Sequence, residues 1–145
     1  MTGSEEPRVV VRTGEGLCTE VSVAGHTVVA DEPESLGGTD AGPSPYDYLL
    51  AALGGCTAMT LRMYADRKGW PLESVTVRLS QERIHAKDCE VCETEEGRVE
   101  RIEREIELAG PLEDEQRRRL LEIADKCPVH RTLNTEVLVE NILVG

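Results

Sequence analysis

The chain has 145 residues and carries 28 acidic against 16 basic side chains, for a formal charge of −12, with no Phe, one Trp and three Tyr. That length fits a single domain, residues 1–145, with an aliphatic core, and the negative field excludes a phosphate-tracking surface and with it nucleic acid as a partner. No apolar run approaches the ~20 residues of a membrane span, and Met1-Thr2-Gly3-Ser4-Glu5-Glu6 is acidic where an export signal needs a basic start and an apolar stretch.

The expectation is therefore a cytoplasmic protein without membrane contact. Its five cysteines, an odd number, argue against a disulfide framework and for some unpaired thiols.

In chain order, Val9-Val10-Val11, Cys18 to Val23 and Thr27 to Ala30 are short β-branched runs separated by glycines, as an antiparallel meander requires. Asp31 to Pro45 holds Gly37, Gly38, Gly42 and three prolines and reads as a loop. From Asp47 to about Lys68 the period becomes helical, with Leu49, Leu53, Cys56, Thr60 and Tyr64 on one apolar stripe, and Gly69 followed by Pro71 stops the helix. Val75, Val77 and Leu79 alternate with polar residues. Ile102, Ile106 and Leu108 share a strand face with Arg104, opposite Glu103, Glu105 and Glu107.

Pro111 then opens a second helix as a first-turn proline. Glu113, Asp114 and Glu115 stand four residues before Arg117, Arg118 and Arg119, a spacing that suits ion pairs on a solvated face. Leu120, Ala124 and Cys127 form its buried stripe, Pro128 forces its end, and Val137 to Val144 supplies a closing strand.

The chemistry begins with two helix-borne cysteines. Gly54 and Gly55 precede Cys56, and each costs roughly 1 kcal/mol relative to Ala inside a helix. Two adjacent glycines beside a thiol let another backbone or a substrate approach closely. Cys127 is read at the C-terminal end of its helix, where the negative end of the dipole disfavours a thiolate. That asymmetry makes Cys56 the attacking thiol and Cys127 the resolving one.

Asp31-Glu32-Pro33, Leu36-Gly37-Gly38, Gly42-Pro43-Ser44-Pro45-Tyr46-Asp47, Leu50-Ala51-Ala52-Leu53-Gly54-Gly55-Cys56-Thr57 and Cys127-Pro128-Val129 together resemble the OsmC/Ohr family, in order and spacing, from about Asp31 to the end. The resemblance implies an α+β fold with antiparallel sheets, a long central helix and a second helix, built as an intertwined homodimer with two sites at the subunit interface. It also implies thiol-dependent reduction of organic hydroperoxides, with an external dithiol as reductant and no cofactor or metal. The family's two cysteines fall on Cys56 and Cys127.

The family also has an acidic residue near the start of the central helix, and Asp47 occupies that position. Nine residues at about 100° each set Asp47 on the helix face opposite Cys56 and about 13 Å along the axis. A catalytic Asp47 would then come from the partner subunit or through a kink at the glycines; the plain alternative is an acid that complements the helix dipole. The family's peroxidases also use an arginine to hold the cysteine as thiolate, for which Arg12 and Arg131 are candidates.

His85-Ala86-Lys87-Asp88-Cys89-Glu90-Val91-Cys92 is a second cluster, at the tip of a hairpin whose strands end near Ile84 and restart near Val99. His85, Cys89 and Cys92 have spacings zinc tolerates, with Asp88 or Glu93 as a fourth ligand. The same Cys-x-x-Cys can instead be a dithiol pair that relays electrons to Cys56, or two thiols in a solvated turn. His130 is read as a surface or interface residue and Cys18 as a packing residue. The leading expectation is a peroxidase cycle of Cys56 sulfenic acid and a Cys56–Cys127 disulfide. A zinc- or thiol-binding stress protein and a sulfur carrier using a Cys56 persulfide are the alternatives.

Overall fold

The β-branched runs at the start of the chain pair as expected. The computed structural model describes residues 7–90 and 92–145, so the acidic Met1–Glu6 stretch and Val91 of the cysteine cluster lie outside the described residues. The chain divides into two compact units, Met1–Leu49 and Leu50–Gly145, with the boundary inside a long helix.

In the first unit β1 (Val9–Thr13), β2 (Thr19–Val23) and β3 (His26–Ala30) form an antiparallel meander in the order β1-β2-β3. Val11 stands opposite Val21, and Val21 opposite Val28. Cys18 lies just outside β2 and is exposed, so it is not a packing residue.

The loop after β3 is organised by Asp31, which is 2% exposed. Its carboxylate accepts from the Thr39 hydroxyl at 2.6 Å and from the amides of Glu32, Thr39 and Ala41. The Thr39 hydroxyl, then the Glu32 amide, outweigh the penalty of burial and hold its pKa down to about 2. Gly42 is required here because a Cβ would fall 2.4 Å from the Val29 carbonyl oxygen.

The long helix α1 runs Pro45–Lys68, two residues earlier than expected, because Pro45 suits the first helical position. Ser44 and Asp47 cap it reciprocally: the Ser44 amide donates to Asp47 Oδ2 at 3.0 Å and the Asp47 amide to Ser44 Oγ at 3.2 Å. Gly69, at φ 69°, ends it.

Within the second unit β4 (Ser74–His85) and β5 (Arg98–Ala109) form a hairpin, with Leu79 opposite Arg104 and His85 opposite Arg98. The core is aliphatic, as the composition demands: Leu61 and Ala65 of α1, Leu72 and Leu112, and Leu120, Ile123 and Ala124 of α2 (Asp114–Ala124). The buried line of α1 in this unit is Leu53, Thr57, Leu61 and Ala65, not the stripe through Cys56, Thr60 and Tyr64. The true stripe follows strict four-residue spacing, which leaves Cys56 half-buried at its edge.

Four expectations for the C-terminal region fail. Helix α2 opens at Asp114 rather than at Pro111, because Glu113 and Gln116 close a capping box around the first turn. Arg117 and Arg119 are not engaged with Glu113 and Glu115: Arg117 donates to the carbonyls of Leu108 and Gly110, and Arg119 to Tyr64 and Glu122.

Pro128 does not end α2, which stops at Ala124; it begins a further helix, α3 (Pro128–Leu133). Val137 to Val144 forms no strand among the described residues, and Ile142, Leu143 and Val144 are 88%, 93% and 87% exposed. Strand-forming residues make a strand only where another strand supplies the ladder.

Candidate active site

The site is built from three elements of the second unit. Thr57 sits on the buried line of α1, and its hydroxyl returns to the Leu53 carbonyl at 2.7 Å. Arg104 stands on the apolar face of β5 between Ile102 and Ile106, with a side chain only 12% exposed. Cys127 lies between α2 and α3 and is fully buried.

Arg104 is the hub of this cluster. One terminal nitrogen donates to Thr57 Oγ1 at 2.9 Å and to the Ala124 carbonyl at 3.3 Å. The other donates to Asp125 Oδ1 at 3.0 Å and stands 3.3 Å from His130 Nδ1. A guanidinium has no acceptor, so Nδ1 of His130 must accept and its proton belongs on Nε2.

Cys127 is the N-cap of α3, with an extended backbone at φ −64° and ψ 140° and Pro128 at the first helical position. Its sulfur accepts the His130 amide at 3.3 Å and lies 3.8 Å from Thr57 Oγ1. Burial pushes the thiol up, but the His130 amide, Thr57, the Cys56 thiol and the Arg104 charge together hold it below the ordinary thiol range. This corrects the dipole argument made from the sequence: Cys127 opens a helix rather than closing one, and its thiolate is favoured.

The structure thus places Cys56 among the groups that act on Cys127, helping to hold its thiol below the ordinary range. His130, read as a surface or interface residue, is part-exposed and adds its amide and ring to the cluster. Arg12 is exposed on β1 of the first unit, and Arg131 is exposed on α3. Asp47 is exposed in the first turn of α1, where its carboxylate engages the Ser44 amide. Gly54 accommodates the Leu79 side chain, since a Cβ would lie 2.6 Å from Leu79 Cδ1, whereas a Cβ on Gly55 would meet nothing within 4 Å.

Arg104 and Thr57 were missed as site residues. The signal for Arg104 was present: a lone cation in phase with Ile102, Ile106 and Leu108. A cavity of about 470 Å³ opens on this cluster, with Leu53, Ile102, Ile106 and Leu121 as apolar walls and Arg104 and His130 among its polar groups. Glu100, Asp125 and Asn134 line the cavity as well, so its walls are mixed, and they suit a ligand with an apolar part and a polar group.

The other cysteines are elsewhere. Cys89 and Cys92 are joined in a disulfide, with Cα atoms 5.5 Å apart, and are therefore bonded to each other rather than presented to a metal. Among the described residues no group of three or more His, Cys, Asp or Glu side chains could hold a metal ion.

The OsmC-like protein family model matches residues 38–141, and the chain belongs to this family. Among solved structures, a Psychrobacter arcticus protein named for an osmotic stress induced and detoxification response superposes with a TM-score of 0.72 at 16% identity, over 91% of each chain. An OsmC-like protein from Mycoplasma pneumoniae gives 0.71 at 18% identity, over 90% of this chain and 89% of the other. An organic hydroperoxide resistance protein OsmC from Legionella pneumophila gives 0.64 at 16% identity, over 91% of each. These likenesses show a common α+β fold. Among curated proteins none matches the sequence. No helix among the described residues is long and apolar enough to cross a membrane.

Proposed function

We propose that the protein is a thiol-based reductase of organic hydroperoxides, with Cys56 as the attacking thiol and Cys127 as the resolving one. The observation that carries this reading is the cluster of Cys56, Cys127, Thr57 and Arg104. A half-buried thiol faces the outside, and a buried thiol held toward thiolate stands behind it. Accessibility replaces the dipole as the ground for the assignment.

In the first step Cys56 thiolate attacks the terminal peroxide oxygen, the O–O bond breaks, and the alkoxide leaves and takes a proton from solvent to give the alcohol. Cys56 becomes a sulfenic acid. Cys127 thiolate then attacks the Cys56 sulfur, the S–O bond breaks, and hydroxide leaves as water after protonation. The resulting Cys56–Cys127 disulfide takes two electrons from an external dithiol. The apolar walls beside Arg104 favour an alkyl or aryl hydroperoxide over hydrogen peroxide.

The protein acts as a homodimer in the cytoplasm in this reading. Support comes from the apolar surface left open: Met59 and Met63 are 68% and 70% exposed, and the residues from Val137 to Val144 offer an unpaired apolar segment. Asp47 enters the site from the partner subunit. The test is turnover of cumene hydroperoxide with dithiothreitol. Cys56→Ser is expected to abolish it, and Cys127→Ser to leave a sulfenic acid that a dimedone probe traps. Full turnover by Cys56→Ser overturns the assignment.

A further inference from the structure

The Cys89–Cys92 disulfide takes no part in the cycle above, and its place in the fold restricts what it can do. It closes the tip of the β4–β5 hairpin, after a short 3-10 turn at Ala86–Asp88 whose Ala86 carbonyl accepts the Cys89 amide. The last rung of the hairpin pairs His85 with Arg98, and Arg104 stands six residues further along β5, about 20 Å away at the usual strand rise. The half-buried positions also change phase, from Val99 near the tip to Ile102, Arg104 and Ile106, so the tip's inward side chains and Arg104 point to opposite faces of the strand. The tip pair is thus set apart from Arg104 by about half the length of β5, a separation that a hand-off between two copies does not have to span.

The charge around the two pairs differs in sign. Cys89 stands between Asp88 and Glu90, and Cys92 precedes Glu93, with Glu95 and Glu96 close behind; these five acids are exposed and outnumber the exposed cation Lys87 of the same turn. A thiolate at the tip forms among like charges, whereas a Cys127 thiolate forms against the His130 amide, Thr57 and the Arg104 guanidinium. Disulfide exchange between the pairs is thus driven toward an oxidised tip and a reduced site. A stabilised thiolate is also the better leaving group.

We propose that Cys89–Cys92 is a second redox couple of this protein, a dithiol that delivers two electrons to the Cys56–Cys127 disulfide of another copy of the chain and is recharged by an external dithiol. The proposal rests on the reading of Cys56 and Cys127 as the working pair. One tip thiolate attacks the accessible Cys56 sulfur, the Cys56–Cys127 bond breaks and Cys127 leaves as thiolate. The second tip thiolate then attacks the first tip sulfur of the mixed disulfide, closes Cys89–Cys92 and releases Cys56 as thiolate. Two electrons move from one pair to the other, and the two protons of the tip dithiol go to solvent or to the released thiolates.

The test uses two full-length variants in a Cys18→Ser background. Cys56→Ser/Cys127→Ser keeps the tip pair and is reduced with a phosphine, while Cys89→Ser/Cys92→Ser keeps the site pair and is oxidised with diamide. The two are desalted, mixed without peroxide, and read by maleimide trapping and mass. The expected result is transfer that is second order in the two proteins, ending about tenfold or more toward the reduced site and oxidised tip. The inference is overturned by no transfer within the time that millimolar dithiothreitol reduces both pairs, or by an equilibrium on the opposite side. Because the assay contains no peroxide, transfer without hydroperoxide turnover sinks the peroxidase reading alone. Turnover without transfer sinks this inference alone, and a site pair that diamide cannot close sinks both.

Discussion

Cys127 and Cys89 both stand beside short helical turns, one before a six-residue helix and the other after a three-residue 3-10 turn. Around Cys127 the His130 amide donates to the sulfur, the Thr57 oxygen lies 3.8 Å from it and Arg104 stands behind Thr57. Around Cys89 and Cys92 the sequence places carboxylates, on a hairpin tip open to solvent. The same side chain next to similar backbone geometry thus meets opposite electrostatic surroundings. Charge and burial, not the local turn, decide which cysteine can hold a thiolate.

Removing Arg104 breaks that contrast most severely. Arg104→Leu leaves the Thr57 hydroxyl and the Ala124 carbonyl without their donor and strips the cation from behind Cys127. A loss of roughly 2–4 kcal/mol in unfolding free energy is expected, read by denaturant titration. The kinetic signature separates this from simple destabilisation. The Cys127 thiol is held low in the native protein against the upward push of burial, so loss of a lowering charge moves it up. The pH profile of Cys56–Cys127 disulfide formation should shift to higher pH, while reduction of Cys89–Cys92 keeps its own profile. An unmoved profile would show that the guanidinium only supports the fold.

Thr57→Val is a narrower cut of the same kind. It keeps shape and burial but deletes the oxygen that meets both Arg104 and Cys127, at a cost of about 1–2 kcal/mol. Alkylation of Cys127 should again require higher pH, and Thr57→Ser should restore it. The glycines sharpen the comparison from the other side of the thiol. Gly54→Ala drives a Cβ to 2.6 Å from Leu79 Cδ1 and should destabilise by roughly 1 kcal/mol net, overpacking set against helix propensity. Gly55→Ala meets nothing within 4 Å in one chain and should stabilise by about 0.5–1 kcal/mol. If thermal melts at high protein concentration reverse that sign for Gly55, its space is filled by a second subunit.

Much of this contrast was legible before the structure. The meander, the long helix and the hairpin follow from period and glycine placement, and the family resemblance rests on the residues around Cys56 and Cys127. Arg104 was visible as a cation in an apolar register, but a strand pattern does not say what a buried cation points at. Cys127 was misread because proline both stops helices and starts them. The deciding fact is the extended backbone of the residue before Pro128, which the sequence biases but does not settle. The missing C-terminal strand has a similar cause: Val137 to Val144 carries the right residues, and a strand also needs an edge to pair with. The rotated stripe of α1 came from counting Cys56 as core, whereas Leu53, Thr57, Leu61 and Ala65 bury the helix without it.

Asp47 gives the smallest expected effect on stability and a direct test of whether the first turn of α1 contributes to catalysis. Its carboxylate accepts the Ser44 amide, a role asparagine can fill with its side-chain oxygen, so Asp47→Asn removes the charge while keeping the cap. The loss should be a few tenths of a kcal/mol, from the acid's interaction with the helix dipole. A pure capping role therefore predicts unchanged hydroperoxide turnover in Asp47→Asn and a parallel, modest drop in stability for Asp47→Ala. A catalytic role from the partner subunit predicts the reverse order of severity: turnover falls at least about tenfold in Asp47→Asn while the melting temperature barely moves. Mixed dimers then decide the geometry. If Asp47→Asn and Cys56→Ser chains regain activity when combined, each intact site takes its cysteine from one chain and its acid from the other. Were no activity regained despite inactive single variants and confirmed mixing, the acid and the thiol would have to serve the same chain.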